Sequence, residues 1–284
     1  MWSEPYSGVR GFILQHHTIS ISIDPGIMGD EVEGIMRASE TPIIEVGEHK
    51  RPRSLVYDLA RFLASPFSYD VVGYENIQTP GPAIFISNHL GPSGPIQTIV
   101  SVQIRFYPWV ISEMVDYEKA PQYLFDDFVH PVLHLGGPFG LFISTLITKI
   151  SVRLFKAIGA VSIDRFGGFT VEGFRHSLRL LREGKNLLIF PENSLLEPDP
   201  NTEMRHFMPG FATLCKIYQK ESGELLPVYP LTVHAGCELV TIGKAEYFQA
   251  QGRYNETTQS FSDLVESRVR QQYLDMQRTA DTLE

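Results

Sequence analysis

Three short apolar runs constrain the fold of this chain more than any other feature of its sequence. They are residues 83–87 (AIFIS), 186–192 (NLLIFPE) and 225–233 (LLPVYPLTV), all of strand length and nearly free of charge. Runs of this kind are typical of strands that are buried on both faces, because a strand with one exposed face alternates apolar and polar residues.

Segments with other periodicities separate these runs. Further strands are predicted at residues 69–75, 107–112 and 160–164, and helices at about 139–158, at 170–184 and at 262–277. Strands that alternate with helices along a chain favour a layered α/β architecture. We therefore predict an α/β fold with a central mixed sheet and helices on both of its faces.

Composition excludes several classes of protein. The chain of 284 residues has 24 Lys and Arg against 33 Asp and Glu, a net charge of −9, whereas a general nucleic-acid-binding protein carries a basic surplus. Its two cysteines are too few for a disulfide framework.

Two uncharged stretches, residues 76–104 and 128–148, reach the length of a membrane span, but Gly and Pro interrupt both. The start of the chain carries no secretory signal, so we expect a cytoplasmic protein. From the acidic net charge, we expect it to bind no nucleic acid.

The first part of the chain differs from the rest. We predict an N-terminal extension of unknown role at residues 1–49, with strand candidates at 17–23 and 41–46, and a domain at residues 50–284. Residues 50–67 begin with a basic cluster and continue with helical spacing of apolar residues. Two interpretations stay open for this helix: it packs on the core, or its cations meet anionic lipid headgroups at a membrane surface.

Three ionisable residues lie at the ends of predicted strands, where α/β proteins place their chemistry. His89 lies in a Gly- and Pro-containing loop; it is a candidate general base, or a structural histidine bonded to backbone. Arg165 has the planar guanidinium that suits a phosphate, or it forms a surface salt bridge with Asp164 or a glutamate. Glu192 is a candidate active-site acid or the first residue of a helix.

In order, spacing and strand context, these segments resemble the glycerolipid acyltransferase superfamily, whose best-known members acylate 1-acyl-glycerol-3-phosphate. The family has four blocks: Asn-His followed five residues later by Asp, a Gly before a strand that ends in Ile-Asp-Arg, Phe-Pro-Glu-Gly, and a Pro-Val-x-Pro strand. The resemblance covers roughly residues 52–275. The matching residues are Asn88 and His89, then Gly159, Ile163, Asp164 and Arg165, then Phe190, Pro191 and Glu192, and finally Pro227, Val228 and Pro230.

The resemblance implies a fold like that of this superfamily and a role in phospholipid biosynthesis. The protein would move a fatty acyl group from an acyl-CoA or acyl-carrier-protein thioester to a lipid-type acceptor hydroxyl, at the surface of a membrane and without a metal or another cofactor. His89 would be the general base. The residues implied to bind substrate are Asn88, Arg165, Glu192, Asn193 and Ser194.

The first block departs from the family pattern, because Gly94 stands where the family has Asp. That Asp orients the imidazole and stabilises its protonated form; in serine proteases, loss of the equivalent function costs about 10⁴ in rate. Glu192 is the first candidate to replace it and Ser93 a weaker one. The alternative is a catalytically weak or inactive protein that binds lipid or acyl chains.

The third block departs as well. Asn193 replaces the family's Gly, and Leu195 stands where a basic residue often follows. A lost cation weakens the binding of a phosphate. Acceptors of the glycerol 3-phosphate type are therefore disfavoured relative to another hydroxyl or an amine, and Leu195 suits a neutral acceptor.

Overall fold

The computed structural model describes residues 68–79, 81–91, 93–131, 133–164, 171–250 and 254–283. The predicted N-terminal extension, its two strand candidates and the helix of residues 50–67 lie outside the described residues. The predicted division of the chain at residues 49 and 50 lies there too.

Within the described residues, eight strands form one sheet, in the order β1-β7-β6-β2-β5-β3-β4, with β8 also paired to β6. Their bounds are β1 Asp70–Val72, β2 Ala83–Ser87, β3 Phe106–Ile111, β4 Val161–Ile163, β5 Asn186–Ile189, β6 Pro227–His234, β7 Leu239–Ile242 and β8 Glu246–Tyr247.

Seven α-helices connect or follow these strands in the described part of the chain. They are α1 Ser93–Ser101, α2 Ser112–Val115, α3 Ala120–Leu124, α4 Gly137–Ile158, α5 Val171–Arg182, α6 Gly210–Ser222 and α7 Tyr254–Leu283. A π-helical turn, Phe125–Val129, continues α3.

The sheet is mixed, as predicted. Strand β2 runs parallel to β5 and β6, and β3 runs parallel to β5 and β4. Strands β7 and β8 are antiparallel to β6. The α/β fold with a helix-flanked mixed sheet is therefore confirmed.

The centre of the sheet is buried on both faces. Every residue of β2 and of β6 is buried. On one face, the ring of Phe85 stacks on that of Tyr229 at 5.0 Å, in a cluster against which Ile99 of α1 packs. On the other face, the hydroxyl of Thr232 donates to the carbonyl of Val269 in α7 at 3.2 Å. Helices on both faces explain why these strands are apolar throughout.

Within the described residues, no helix combines the length and apolar character needed to cross a membrane.

Candidate active site

The carboxyl ends of β2 and β5 bring two of the predicted site residues together. These strands are parallel neighbours, so the residues that follow them emerge at the same edge of the sheet. His89 lies two residues beyond β2, and Glu192 lies three residues beyond β5. The backbone N–H of His89 donates a hydrogen bond of 2.7 Å to Oε1 of Glu192. Two motifs that are 103 residues apart in the chain thus meet in one site.

The imidazole of His89 lies at the surface, where a substrate can reach it. Its ring stands nearly perpendicular to the ring of Phe190, with centroids 5.5 Å apart and an angle of 85° between the planes. Aromatic contacts of this edge-to-face kind favour a defined ring orientation. An accessible imidazole is what a general base needs in order to meet a substrate, and the role of His89 as the base stays a prediction.

The carboxylate of Glu192 connects two loops through their backbones. Its Oε1 accepts the N–H of His89, and its Oε2 accepts the N–H of Arg205 at 3.0 Å. Glu192 also forms an antiparallel bridge with Phe207. Glu192 was predicted to replace the missing Asp or to bind substrate; its contact with His89 is to the main chain. Both predictions stay predictions, and the geometry adds that Glu192 positions the turn that carries His89.

The carboxamide of Asn88 is buried and joined to the neighbouring strand. Its Nδ2 donates to the carbonyl of Val233 at 2.9 Å, and its Oδ1 accepts the N–H of the same residue at 2.8 Å. The pair of bonds extends the pairing of β2 with β6 beyond the end of β2. Asn88 therefore fixes the residue before His89, and its predicted contact with substrate stays a prediction.

A side chain at position 94 would lie against the backbone of the turn that carries His89. Gly94 is the second residue of α1, and its N–H bonds to the carbonyl of Leu90 at 3.2 Å. A Cβ at this position would lie 3.3 Å from the carbonyl carbon of His89 and 3.4 Å from Cβ of Leu90. Gly94 is not among the glycines with positive φ. Its backbone therefore accepts other residues, and a side chain there would project against the turn of His89.

The residues after Glu192 form an exposed turn. The side-chain oxygen of Asn193 accepts the N–H of Leu195 at 3.1 Å, an arrangement typical of Asx turns. Ser194 is exposed, and the Leu195 side chain is 78% exposed. The departure at position 195 thus places an apolar side chain in solvent close to the site. Substrate binding by Asn193 and Ser194 stays a prediction.

Arg165 lies outside the described residues, but the strand before it is described. Strand β4 is three strands from β2 across the sheet, through β5 and β3. At the usual spacing of neighbouring strands this separation is about 14 Å. His89 and Glu192 are adjacent, since a hydrogen bond joins them. The segment that leads to Arg165 lies at the far end of the same edge of the sheet.

Sequence reasoning missed the loop that holds Glu192. Besides its backbone bond to Glu192, Arg205 uses its Nε to donate to the carbonyl of Leu196 at 2.7 Å. The loop is tied to α7 through Glu266, which accepts the N–H of Phe207 at 2.7 Å and pairs with Arg270 at 2.8 Å. Nothing in the sequence marks Arg205, because its contact with Glu192 is made by a backbone group that every residue except Pro possesses.

A cavity of about 450 Å³ lies between this loop and α7. His89 and Glu192 do not line it. One of its lining residues, Asp199, accepts the backbone N–H of Asn201, which lowers the pKa of the Asp199 carboxyl. The lining residues are Glu197, Pro198, Asp199, Met204, His206, Asp263, Glu266, Ser267 and Arg270.

Replacement of the Glu192 carboxylate should lower the stability of the fold. In Glu192→Gln, one of the two backbone N–H groups faces an amide N–H₂ instead of an oxygen, so we expect the free energy of unfolding to fall by about 1–3 kcal/mol. Urea titration of the variant against the unmodified protein measures this change. Glu197→Gln, an exposed glutamate on the same loop, is the matched control. Equal stability of both variants would show that the Glu192 contacts contribute nothing.

The fold and site together define an α/β protein whose candidate chemistry lies at the carboxyl edge of a mixed sheet. A scan of protein-family models finds no match, and a search of curated proteins finds none. Among solved structures, this chain is similar to the 1-acyl-sn-glycerophosphate (LPA) acyltransferase PlsC from Thermotoga maritima. The TM-score is 0.48 at 13% sequence identity, over 87% of this chain and 89% of that one.

Proposed function

We propose that this protein is an acyltransferase that moves a fatty acyl group from a thioester to the hydroxyl of a lipid-type acceptor, with His89 as the general base. The observation that carries the proposal is the meeting of two distant motifs: His89 and Glu192 follow adjacent parallel strands, and a 2.7 Å hydrogen bond joins them. The exposed imidazole and the match of both motifs to one family's blocks support the same chemistry.

The reaction uses the imidazole twice. His89 takes the proton of the acceptor hydroxyl while the oxygen attacks the thioester carbonyl carbon. The tetrahedral intermediate then expels the thiolate, which breaks the carbon–sulfur bond, and the imidazolium returns the proton to sulfur. The donor is acyl-CoA or an acyl-carrier protein, and no metal or other cofactor takes part.

The predicted substrate-binding residues divide into two groups in this proposal. Asn88 and Glu192 hold the turn, since their side chains bond to backbone groups of other segments. Ser194 and Asn193 contact the acceptor close to its reacting hydroxyl, and Arg165, which follows β4 in the sequence, contacts a part of the acceptor farther from that hydroxyl. The exposed Leu195 suits an acceptor without a phosphate next to the reacting hydroxyl.

Thiol release from long-chain acyl-CoA tests the proposal. We expect release that requires an added total lipid extract in detergent, with the acylated lipid identified by mass spectrometry. Release without any acceptor would instead indicate thioesterase chemistry at the same site. No release from acyl-CoA or from acyl-carrier protein would contradict the proposal.

One observation favours a second candidate, a protein that binds lipid or acyl chains without turnover. Gly94 leaves the position next to the His89 turn without a carboxylate, and the Glu192 carboxylate bonds to backbone groups. This candidate predicts binding of acyl-CoA or lipid that His89→Ala leaves unchanged, together with no turnover in either protein.

A further inference from the structure

Helix α4 has two faces of opposite character. Its buried face is a row of residues spaced four apart: Gly140, Ser144, Thr148 and Val152. A Cβ at Gly140 would lie 2.8 Å from the ring of Phe125, and the hydroxyl of Ser144 donates to the carbonyl of Pro121 in α3. Small residues on this face thus allow α4 to pack closely against α3 and the π-helical turn.

The opposite face exposes four large apolar side chains to solvent. Phe139 is 61% exposed, Phe142 64%, Leu146 51% and Ile150 65%. Their spacings of three and four residues place them in one line along the helix. We call these four residues the α4 stripe. A continuous apolar stripe of this kind marks an interaction surface, unlike single exposed apolar residues.

The charges beside the α4 stripe indicate its partner. Helix α4 contains no Asp or Glu, although the chain as a whole has a net charge of −9. Lys149 and Arg153 are exposed near the stripe, and in the described part of the chain neither has an ion-pair partner. A third cation, Lys156, lies 4.8 Å from the ring of Tyr117. The surface is therefore apolar and basic.

Two acidic residues of the segment that packs on α4 are already hydrogen-bonded within that segment. Asp126 accepts hydrogen bonds from Gln122, and Asp127 accepts one from Tyr123, all within the helical segment of α3 and the π-helical turn. Each of the two carboxylates thus has a hydrogen-bond donor of its own segment.

We propose that the α4 stripe docks this protein on an anionic lipid surface, with α4 lying in the plane of the headgroups. An apolar helix face with cations beside it binds such surfaces, because the apolar side chains enter the acyl boundary while the cations meet lipid phosphates. A second copy of this chain is a poorer partner, since a two-fold axis through the stripe would place the same cations against each other. The inference concerns a surface, and it does not depend on acyl transfer by His89.

Vesicle flotation of the full chain tests the proposal. The probes are vesicles of phosphatidylcholine alone and of phosphatidylcholine with phosphatidylglycerol in equal amounts. We expect binding to the anionic vesicles, and a fall of about tenfold or more in Phe142→Ser/Ile150→Ser, since two apolar side chains no longer enter the lipid. Lys149→Glu/Arg153→Glu should lower binding to the anionic vesicles to a similar degree.

The controls separate the lipid from other occupants of the stripe. Leu225→Ser/Leu264→Ser changes two exposed leucines that belong to other parts of the chain than α4 and should bind vesicles like the unmodified protein. Equal vesicle binding by the α4 variants and the unmodified protein overturns the proposal, as does no binding by the unmodified protein. A larger fall in melting temperature for Phe142→Ser/Ile150→Ser than for the leucine control overturns it too, because another segment of the chain then covers the stripe. If Phe142→Ser/Ile150→Ser has a lower molecular mass in solution than the unmodified protein, the stripe binds a second copy of the chain instead.

The failure of this proposal can be told apart from failure of the proposed acyltransferase. His89→Ala should bind vesicles like the unmodified protein, whereas Phe142→Ser/Ile150→Ser should retain thiol release with an acceptor dissolved in detergent.

Discussion

Replacement of His89 by alanine should lower acyl transfer by about 10²–10⁴, the contribution usual for a general base. The acceptor hydroxyl then loses the group that removes its proton, and the thiolate loses the group that returns it. The measurement is thiol release from acyl-CoA in the presence of a lipid extract, at equal concentrations of the variant and the unmodified protein.

The fold should survive this change, which makes the result interpretable. The side chain of His89 is exposed, and its hydrogen bond to Glu192 is made by the backbone N–H, which alanine keeps. Urea titration of His89→Ala should therefore match that of the unmodified protein. His130→Ala, which removes another exposed histidine, should leave transfer unchanged. Transfer that is equal in His89→Ala and in the unmodified protein would exclude His89 as the base.

Introduction of a carboxylate at position 94 should raise the rate. Loss of the equivalent aspartate costs about 10⁴ in serine proteases, and an added carboxylate with unrefined geometry should recover part of this, about 10- to 100-fold. Gly94→Asp is sterically tight, because its Cβ lies 3.3 Å from the His89 carbonyl carbon. The backbone conformation accepts it, and an acid is favourable in the first turn of α1.

Two further variants separate charge from shape at position 94. Gly94→Asn has nearly the same shape as Asp without the charge, and Gly94→Ala adds the Cβ alone. The expected order of thiol release is Asp above Asn, with Ala close to the unmodified protein. If Asp gains no more than Ala, a missing carboxylate does not limit this site.

The buried strands were predictable because burial on both faces requires a continuous apolar run, which can be read from the sequence. Residues 83–87 were predicted as a strand, and β2 spans Ala83–Ser87. Strand β7 was not predicted: its four residues alternate between partial and full burial, too short a pattern to stand out. The last helix was predicted from residue 262 and begins at Tyr254, because its first turns are polar and show no apolar periodicity.

The positions of two candidate site residues at strand ends could be read from the sequence, but the connections between them could not. His89 and Glu192 were both placed at the ends of predicted strands, and Glu192 was the first candidate for the role of the missing Asp. That Glu192 bonds to the backbones of His89 and Arg205 was not readable, because backbone donors leave no trace in the sequence. The same holds for Asn88, whose amide bonds to the backbone of Val233.

The bonds of Asn88 set an order of events for a chain emerging from the ribosome. Asn88 and its partner Val233 are 145 residues apart, so the turn that carries His89 cannot be completed until synthesis has passed β6. Contacts of such long range form late, since the intervening loop must close first. The turn that carries His89 is thus synthesised early, but a nascent chain that stops before residue 233 lacks the hydrogen bonds between Asn88 and Val233 that hold this turn.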